Sequence, residues 1–425
     1  MAYGGGHYTI QNKILGGIYY KFSSIPQATA TIADRGMSAM AIELGWGVSD
    51  KIFTVTAQEF YTDSMAIFGY EYSAPELLPL REMFKHTKEA HLYRLNGGGE
   101  KATCVYGTAV HAGVRGNDLK VVIVADEEQY IVSLYMGTAL LDKQTVATAS
   151  ELVDNEWVVW KDDAELQATA GMTFAGGTNA SVDASAHQRF LDLLESKPDV
   201  NAVGYAGEDE AIKTLYTQWA DTMREDIGLR CQVVVFNKKA DSWNVINVKN
   251  QANLVPWVLG VQAGLQANKS ATNMVYDGEL EVNTEYTQRE LEKALKAGEF
   301  VLHQVGDEVR VLEDVNSFVS ITDVEGEIFK DNQTIRILDT YADAVANIFG
   351  AKYMGRVPND EAGRISLWSD IVKILEQLEE MRAIENFDKE QVQVLKGDGK
   401  KDVLTKANFE PVNAMVRLYV DSTIQ

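Results

Sequence analysis

Cysteine is scarce in this chain, with only Cys104 and Cys231 among 425 residues. Two cysteines are too few for a disulfide framework, and the opening MAYGGGHYTIQNK has neither the basic stretch nor the apolar run of a secretory signal. No apolar run approaches the ~20 residues that a membrane helix needs. We therefore expect synthesis in a reducing cytoplasm, with both cysteines as small buried hydrophobic residues.

Basic residues are also scarce relative to acidic ones. The chain has 39 Lys and Arg against 62 Asp and Glu, which gives a net charge of −23. Such a surface repels phosphate backbones and acidic membranes, so we expect neither nucleic acid nor a membrane anchor as a partner. A basic protein partner stays possible. The content of 46% hydrophobic and 24% charged residues excludes a disordered chain, and the length allows two to four domains.

Motifs for catalysis, cofactors and metals are missing as well. NGGGEKAT lacks the spacing of a phosphate-binding loop, and GYAGEDEA lacks G-x-G-x-x-G and places Glu208, Asp209 and Glu210 where a phosphate would bind. His86 and His91 are five residues apart, which does not suit a helical metal pair, and we predict surface histidines. No catalytic, cofactor-binding or metal-binding residue is predicted, and we expect that the chain is not an enzyme. The alternative of a catalytic pair of carboxylates stays open, because Asp and Glu are numerous.

Hydrophobic periodicity predicts a multidomain α/β and α+β protein. Five strand-like runs indicate an inserted all-β sandwich or barrel, namely HLYRLN, ATCVYGTAV, LKVVIVAD, QYIVSLYM and EWVVWK. A strand-helix-strand unit follows at 200–236. The predicted parts are an N-terminal arm (1–24), the first part of the α/β core (25–90), the all-β insertion (91–177), the rest of the core (178–315), a C-terminal α+β domain (316–411) and a C-terminal arm strand (412–425).

Local signals place helix starts within these parts. Ser73 and Pro75 predict a helix over SAPELLPLREMFKHTKEA, after the short strands SAMAIEL and KIFTVT. Two long helices are predicted in the C-terminal domain, the second capped by Asn359. The runs EQVQVL and KKDVLTKANF, joined by the turn KGDGK, lead into the closing strand.

The last residues alternate with a period of two. Ala414, Val416, Leu418 and Val420 would lie on one face of a strand and Met415, Arg417, Tyr419 and Asp421 on the other. A strand at this position exposes unpaired backbone groups unless another strand pairs with it. The prediction therefore requires a partner strand.

The C-terminal third, with VLEDVNSFVSIT, IRILDTYADAVANIFGAKYMGRVPNDEAGRISLWSDIVKILEQLEEM and EPVNAMVRLYV, resembles the contractile tail sheath proteins of bacteriophages and phage-tail-like bacteriocins. The N-terminal QNKILGGIYYKFSS and ADRGMSAMAIELGWG are similar to the opening of that family. Leu15-Gly16-Gly17-Ile18-Tyr19 replaces the Pro-Gly-Val-Tyr run that is usual there. The order of the predicted parts also matches, so the resemblance covers essentially the whole chain.

The resemblance implies a structural subunit that polymerises in stacked rings around an inner tail tube. On a signal from the baseplate, such a sheath contracts without nucleotide hydrolysis and drives the tube through a target envelope. It implies as partners other copies of the chain, the tube protein, and the baseplate and tail terminator proteins, in the tail of a virion or bacteriocin particle.

The resemblance also implies extended arms, 8–23 and 412–421, that add strands to sheets of neighbouring copies. The arm residues expected between subunits are Tyr8, Ile10, Ile18, Tyr20, Phe22, Ala414, Val416, Leu418 and Val420. The family places the C-terminal domain towards the tube. Glu376, Glu379 and Glu380 are therefore expected to make polar contacts there, against the alternative of a solvated helix face.

Two other functions stay open from the sequence. The unit at 200–236 would also suit a cytosolic α/β enzyme with a β-domain insertion, and ligand-induced thermal stabilisation would favour that function. Another structural component of an injection machine, such as a baseplate protein, is the second alternative. A long helical tube would exclude it.

Overall fold

The structure is a computed structural model that describes residues 35–424 together with the backbones of Gly4–His7 and Gly17–Tyr20. The strands of these residues are β1 (Gly4–His7), β2 (Gly17–Tyr20), β3 (Met37–Ile42), β4 (Phe53–Thr56), β5 (Glu89–Arg94), β6 (Lys101–Thr103), β7 (Gly107–Ala112), β8 (Leu119–Asp126), β9 (Gln129–Met136), β10 (Ala139–Val146), β11 (Val158–Trp160), β12 (Thr169–Thr173), β13 (Ala202–Tyr205), β14 (Gln232–Phe236), β15 (Val245–Val248), β16 (Glu299–Phe300), β17 (Leu302–Val305), β18 (Glu308–Val311), β19 (Ile384–Glu385), β20 (Gln393–Lys396), β21 (Val403–Lys406) and β22 (Glu410–Pro411). The α-helices are α1 (Ala57–Phe68), α2 (Leu78–Phe84), α3 (Ala184–Leu194), α4 (Glu210–Thr222), α5 (Val255–Gly264), α6 (Gln288–Lys296), α7 (Asn332–Ile348) and α8 (Glu361–Glu380).

A seven-stranded sheet in the order β16-β15-β14-β13-β3-β5-β4 forms the centre of the molecule. Its neighbouring strands are parallel, except for β4 against β5. Helices α2 and α5 cover one face with Leu80, Met83 and Trp257, and α3 and α4 cover the other with Phe190 and Tyr216. Because both faces are covered, β14 can be the nearly continuous apolar run QVVVF. The predicted α/β core is confirmed.

One strand assigned to the β insertion belongs to this central sheet instead. The run HLYRLN, predicted to begin the insertion, forms β5, which pairs in parallel with β3 and antiparallel with β4. Its residues Ala90–Arg94 are all buried, as expected for a strand inside a sheet that is covered on both faces. The sequence places it wrongly because a short apolar run does not reveal which sheet it joins.

The all-β insertion is a sandwich. One sheet has the order β10-β9-β8-β12 and the other β11-β7-β6. Alternate residues of β8 and β9 point inwards and meet Trp157, Trp160 and Phe174 between the sheets. The predicted runs LKVVIVAD, QYIVSLYM and EWVVWK correspond to β8, β9 and β11. The prediction of an all-β sandwich or barrel is therefore confirmed in the sandwich form.

The helices near residues 57–90 differ from the prediction. Helix α1 was missed, although Thr56 and Glu59 form a reciprocal capping box at its start. The helix predicted from Ser73 starts without a side-chain cap, as a short 3-10 turn at Pro75–Leu77, and α2 ends at Phe84. The segment KEA was placed in this helix, but Glu89 already begins β5.

The C-terminal domain packs α7 against α8 through Ile337, Leu367, Ile371 and Leu375. β20 and β21 form the hairpin that the turn KGDGK predicts. The cap of α8 is Asp360, whose carboxylate accepts from Gly363 N, and not Asn359. The Asn359 side chain instead donates to the carbonyl of Asp402 and so ties the start of α8 to the hairpin.

Replacing Gly260 with Ala is expected to destabilise the α/β core, because a Cβ there would lie 2.2 Å from the Met83 carbonyl oxygen of α2. Helix α5 would have to move away from α2, and such overpacking costs about 1–3 kcal/mol. Gly350→Ala is the control, since no atom lies within 4 Å of its added Cβ. Urea unfolding followed by circular dichroism measures both variants, and equal midpoints would contradict this packing.

Candidate functional site

The N-terminal arm residues are only partly described. Tyr8, Ile10 and Phe22 lie outside the described residues. Ile18 and Tyr20 lie in β2, which pairs in parallel with β1, so that Ile18 is opposite Gly5 and Tyr20 opposite His7. β2 therefore lies within the expected N-terminal arm, 8–23.

The C-terminal arm residues project from the body of the protein. Ala414, Val416, Leu418 and Val420 are all exposed, Leu418 at 87% and Val420 at 75%. From Val412 to Ile424 the chain adopts no strand, so the predicted closing strand has no partner within the described residues. Tyr419, on the opposite face, is 88% exposed. Contiguous exposed apolar side chains are uncommon on the surface of a monomeric protein.

The arm is fixed where it leaves the body. β22 pairs antiparallel with β19, and Val412 N donates to the Ala383 carbonyl over 2.8 Å. Asn413 Nδ2 then donates to Thr334 Oγ1 over 3.0 Å, and Arg417 Nη2 lies 2.6 Å from Glu313 Oε1. These contacts are not predictable from the sequence, because 79 residues separate Thr334 from Asn413 and no local pattern relates them.

A buried ion pair joins the α/β core to α7, the helix on which the arm is anchored. Arg336 Nη2 lies 2.7 Å from Asp314 Oδ2, and the two side chains are 1% and 0% exposed. Gln262 of α5 completes a triangle, accepting from Arg336 Nη1 at 2.6 Å and donating to Asp314 Oδ1 at 2.7 Å. Burial opposes ionisation of Asp314, but Arg336 and the hydrogen bonds from Ala271 and Asn332 outweigh it and lower its pKa.

A second set of ion pairs connects α7 to the opposite face of the central sheet. Arg224, which follows α4, binds Asp339 of α7 with both terminal nitrogens, and Nη2 lies 2.9 Å from Oδ2. Arg230 Nη1 lies 2.8 Å from Asp343 Oδ1. Together with Asp314 and Arg336, these pairs hold α7 at two places along its length. The arm therefore leaves a rigid junction and not a loosely tethered domain.

The acidic residues Glu376, Glu379 and Glu380 lie at the C-terminal end of α8 and are all exposed. Negative charge at a helix C-terminus is unfavourable for the helix dipole. Their position is therefore not explained by the stability of α8.

The groove beside GYAGEDEA is poorly suited to a nucleotide. This cavity of about 570 Å³ has a mostly apolar lining, and its charged residues are the acids Glu43, Glu76, Asp183 and Asp209. The Asp209 carboxylate accepts from the backbone nitrogens of Ala211 and Ile212, which are the donors that a phosphate would use at the start of α4. The anion site of a nucleotide-binding fold is thus occupied by the side chain of the protein itself.

Other reactive side chains have structural surroundings. Burial raises the pKa of the Cys231 thiol to about 12, which keeps it protonated. Cys104, predicted to be buried, is only half-buried. His91, predicted at the surface, is buried between Thr54 and Asp199, with Nε2 3.1 Å from Asp199 Oδ1, whereas His86 bonds to Asp277.

Within the described part of the chain, no three or more His, Cys, Asp or Glu side chains are grouped so as to hold a metal ion. No helix in the same part is both long and apolar enough to cross a membrane.

Four family models match successive parts of the chain. They are the Tail sheath protein Gp18 domain III N-terminal region at 35–95, the Phage tail sheath protein beta-sandwich domain at 96–179, the Phage tail sheath protein central domain at 178–317 and the Phage tail sheath C-terminal domain at 324–425. The β-sandwich model coincides with the inserted sandwich, and the C-terminal model includes α7, α8 and the arm.

Individual proteins agree with these matches. The crystal structure of a sheath tail protein from Desulfitobacterium hafniense is 32% identical, with a TM-score of 0.83, and the match covers 94% of this chain and 97% of that one. The Phage-like element PBSX protein XkdK of Bacillus subtilis is 27% identical, with 98% of each chain covered. The helical sheath of the anti-feeding prophage in its contracted state shares the fold, with 13% identity, a TM-score of 0.59 and coverage of 97% and 99%.

Substituting Arg336 with Met is expected to lower the free energy of unfolding by about 3–5 kcal/mol, since Asp314 would keep a buried and uncompensated charge. The control Arg189→Met removes an exposed ion pair with Asp50 and should cost less than about 1 kcal/mol. Denaturant unfolding followed by tryptophan fluorescence gives both values. A loss at residue 336 no larger than at residue 189 would show that the junction does not depend on this pair.

Proposed function

The chain belongs to the phage tail sheath protein family, and we propose that it is the subunit of a contractile sheath. Copies of the chain polymerise as stacked rings around an inner tail tube. Release by the baseplate lets the rings repack into a shorter and wider sheath, which drives the tube through the envelope of a target cell. The function is structural, without a catalytic step.

The observation that carries this proposal is the C-terminal arm. Its apolar side chains, including Leu418 and Val420, are exposed, while Val412 and Asn413 at its base are hydrogen-bonded to the body. An extended segment of this kind suits β-augmentation, in which main-chain hydrogen bonds supply affinity and alternate side chains set the register. The proposed arms are 8–23 and 412–421, and each adds a strand to a sheet of a neighbouring copy.

The rigid junction supports a contraction in which subunits move as bodies. Ion pairs at Asp314 and Asp339 attach α7 to the α/β core from two sides. When a neighbouring copy that is paired with the arm moves, the whole subunit would then follow it, and not only the C-terminal domain. The energy for repacking comes from greater burial and charge complementarity between subunits, so nucleotide hydrolysis is not required.

The proposed partners are other copies of the chain, the inner tube protein, the baseplate and the tail terminator. Glu376, Glu379 and Glu380 are proposed as polar contacts to the tube. Acidic residues at the C-terminal end of α8 are unfavourable for the helix dipole, so helix stability does not explain them. Synthesis in the bacterial cytoplasm would be followed by assembly into the tail of a virion or bacteriocin particle.

The alternative functions have weaker support. For an α/β enzyme, the groove at the carboxyl ends of β3 and β13 is the natural site, but acidic side chains line it and Asp209 fills the anion position. A baseplate component would share the fold. It differs from a sheath subunit in assembling as a single ring and not as a long tube.

Truncation after Ala414 is expected to abolish tube formation while the body stays folded, because it removes the arm beyond its base. The purified full-length chain should form long tubes of contracted-like dimensions in negative-stain electron micrographs. Deleting only residues 422–425, beyond the proposed arm, is the matched control and should leave assembly intact. Circular dichroism and the midpoint of thermal unfolding establish that the truncated body is folded.

Two results would oppose these assignments separately. A full-length chain that stays a compact monomer at high concentration would argue against a sheath subunit. Tubes of normal length and yield from the chain truncated after Ala414 would argue against the C-terminal arm, while leaving the sheath function in place.

A further inference from the structure

A hydrogen bond is missing from the strand pair at the base of the arm. In an antiparallel ladder, two opposite residues exchange either both backbone hydrogen bonds or none. Since Ile384 is opposite Pro411, Ala383 is opposite Val412, and Val412 N donates to Ala383 O. The Ala383 N–H, however, donates to the Leu378 carbonyl at the end of α8 over 2.9 Å. The Val412 carbonyl therefore lacks the hydrogen bond that the Ala383 N–H would donate in a regular ladder.

Gln333 supplies that donor from α7. Its Nε2 donates to the Val412 carbonyl over 2.9 Å, and its Oε1 accepts from Ala414 N over 3.1 Å. A carboxamide carries one donor and one acceptor side by side, as a peptide group does. The Gln333 side chain thus takes the place of a main-chain peptide in the ladder, next to Ala383, whose own N–H is bonded to α8.

The side chain that makes these bonds is held firmly. Gln333 is 3% exposed and is the second residue of α7, and its backbone N–H donates to the capping carboxylate of Asp331. The neighbouring Thr334 is bonded to Asn413. Three residues in the first turn and cap of α7 therefore position three consecutive residues of the arm, 412–414.

We propose that Gln333 is a positioning residue that replaces one peptide of a β-strand and thereby directs the C-terminal arm towards a second copy of this chain. Backbone groups in a strand alternate between its two edges. Because Val412 and Ala414 face β19 and Gln333, those of Asn413 and Met415 face the opposite edge, which is where a strand from the second copy pairs. This inference rests on the proposed sheath function and adds the residue that orients its arm.

Pro411 is consistent with this assignment of edges. As the residue before Val412, it lies on the edge facing away from β19, where its missing N–H removes a donor. The first backbone donor on the open edge is then Asn413. On the other side of this open region, Arg417 is held to Glu313 at 2.6 Å. The arm is therefore fixed at two places, and the pairing edge starts between Pro411 and Arg417.

The first test replaces Gln333 with Leu in the full-length chain, which removes both side-chain bonds at similar volume. We expect the Ala414 amide of the unassembled protein, which donates to Gln333, to exchange hydrogen at least tenfold faster, measured by mass spectrometry, and the yield of tubes in electron micrographs to fall at least tenfold. Gln304→Leu, an exposed glutamine of β17, is the matched control and should change neither quantity.

A second variant avoids the risk that a change inside α7 disturbs folding. Ala414→Pro leaves α7 unchanged and removes the N–H that donates to Gln333, at an exposed residue, so a strand on the open edge loses no bond. It also fixes φ of residue 414 at about −65°, a value that an extended chain can adopt. Ala414→Ser keeps the N–H and is its control. The proline variant should reproduce the loss of tubes, whereas the serine variant should form tubes as the wild type does.

The outcomes separate this inference from the function on which it rests. If the wild-type chain forms no tubes, the proposed sheath function is overturned. If the wild type forms tubes, two results overturn the role of Gln333: unchanged exchange of the Ala414 amide in the Gln333→Leu variant, or a normal tube yield from the leucine or the proline variant.

Discussion

The constraint on which this structure depends is that a charged pair can be buried only where an opposite charge and hydrogen bonds compensate for the lost water. Asp314 and Arg336 are 0% and 1% exposed, and both carboxylate oxygens of Asp314 and both terminal nitrogens of Arg336 bond to neighbours from separate parts of the chain. Asp314 follows β18, Gln262 lies in α5 and Arg336 in α7. Satisfying all three groups at once requires the C-terminal domain to occupy one position on the α/β core. An apolar contact of equal area could stabilise the interface equally well, but it would specify that position less strictly.

This constraint reaches the arm through α7. The helix that carries Arg336 begins only four residues earlier, at Asn332, with the turn that holds the arm through Gln333 and Thr334. The position of the arm base is therefore set by the same contacts that fix the domain. In the proposed assembly, a load applied to the arm passes through α7 into the central sheet.

Sequence periodicity predicts the elements that depend on local pattern. The strand-helix-strand unit, the hairpin β20–β21 and the two long C-terminal helices follow from apolar spacing and turn residues. The assignment of β5 failed because a fully buried run in a parallel sheet resembles a sandwich strand until its neighbours are known. Helix α1 was missed although Thr56 and Glu59 carried a local signal.

The candidate site was predictable only in part, for a physical reason. The alternation of Val416, Leu418 and Val420 is visible in the sequence because a strand displays its pattern whether or not its partner is present. No sequence pattern identifies Gln333 or Asp314, because their partners lie in segments that are distant along the chain and meet only in the folded protein. His91 was expected at the surface for the same reason, because Thr54 and Asp199 satisfy its ring only in the folded protein.

The net charge of −23 bears on how such copies could associate. Like charges repel, but salt at physiological strength screens exposed charges beyond about 8 Å. Backbone hydrogen bonds and alternating apolar side chains act within that distance. A slip of one residue in the pairing of the arm would exchange Val416 and Leu418 for Arg417 and Tyr419 on the packed face. Since Glu313 already holds Arg417 against its own subunit, the shifted register would also break that ion pair. The arm can therefore bind by short-range contacts that repulsion does not abolish, in the one register that keeps Arg417 where it is anchored.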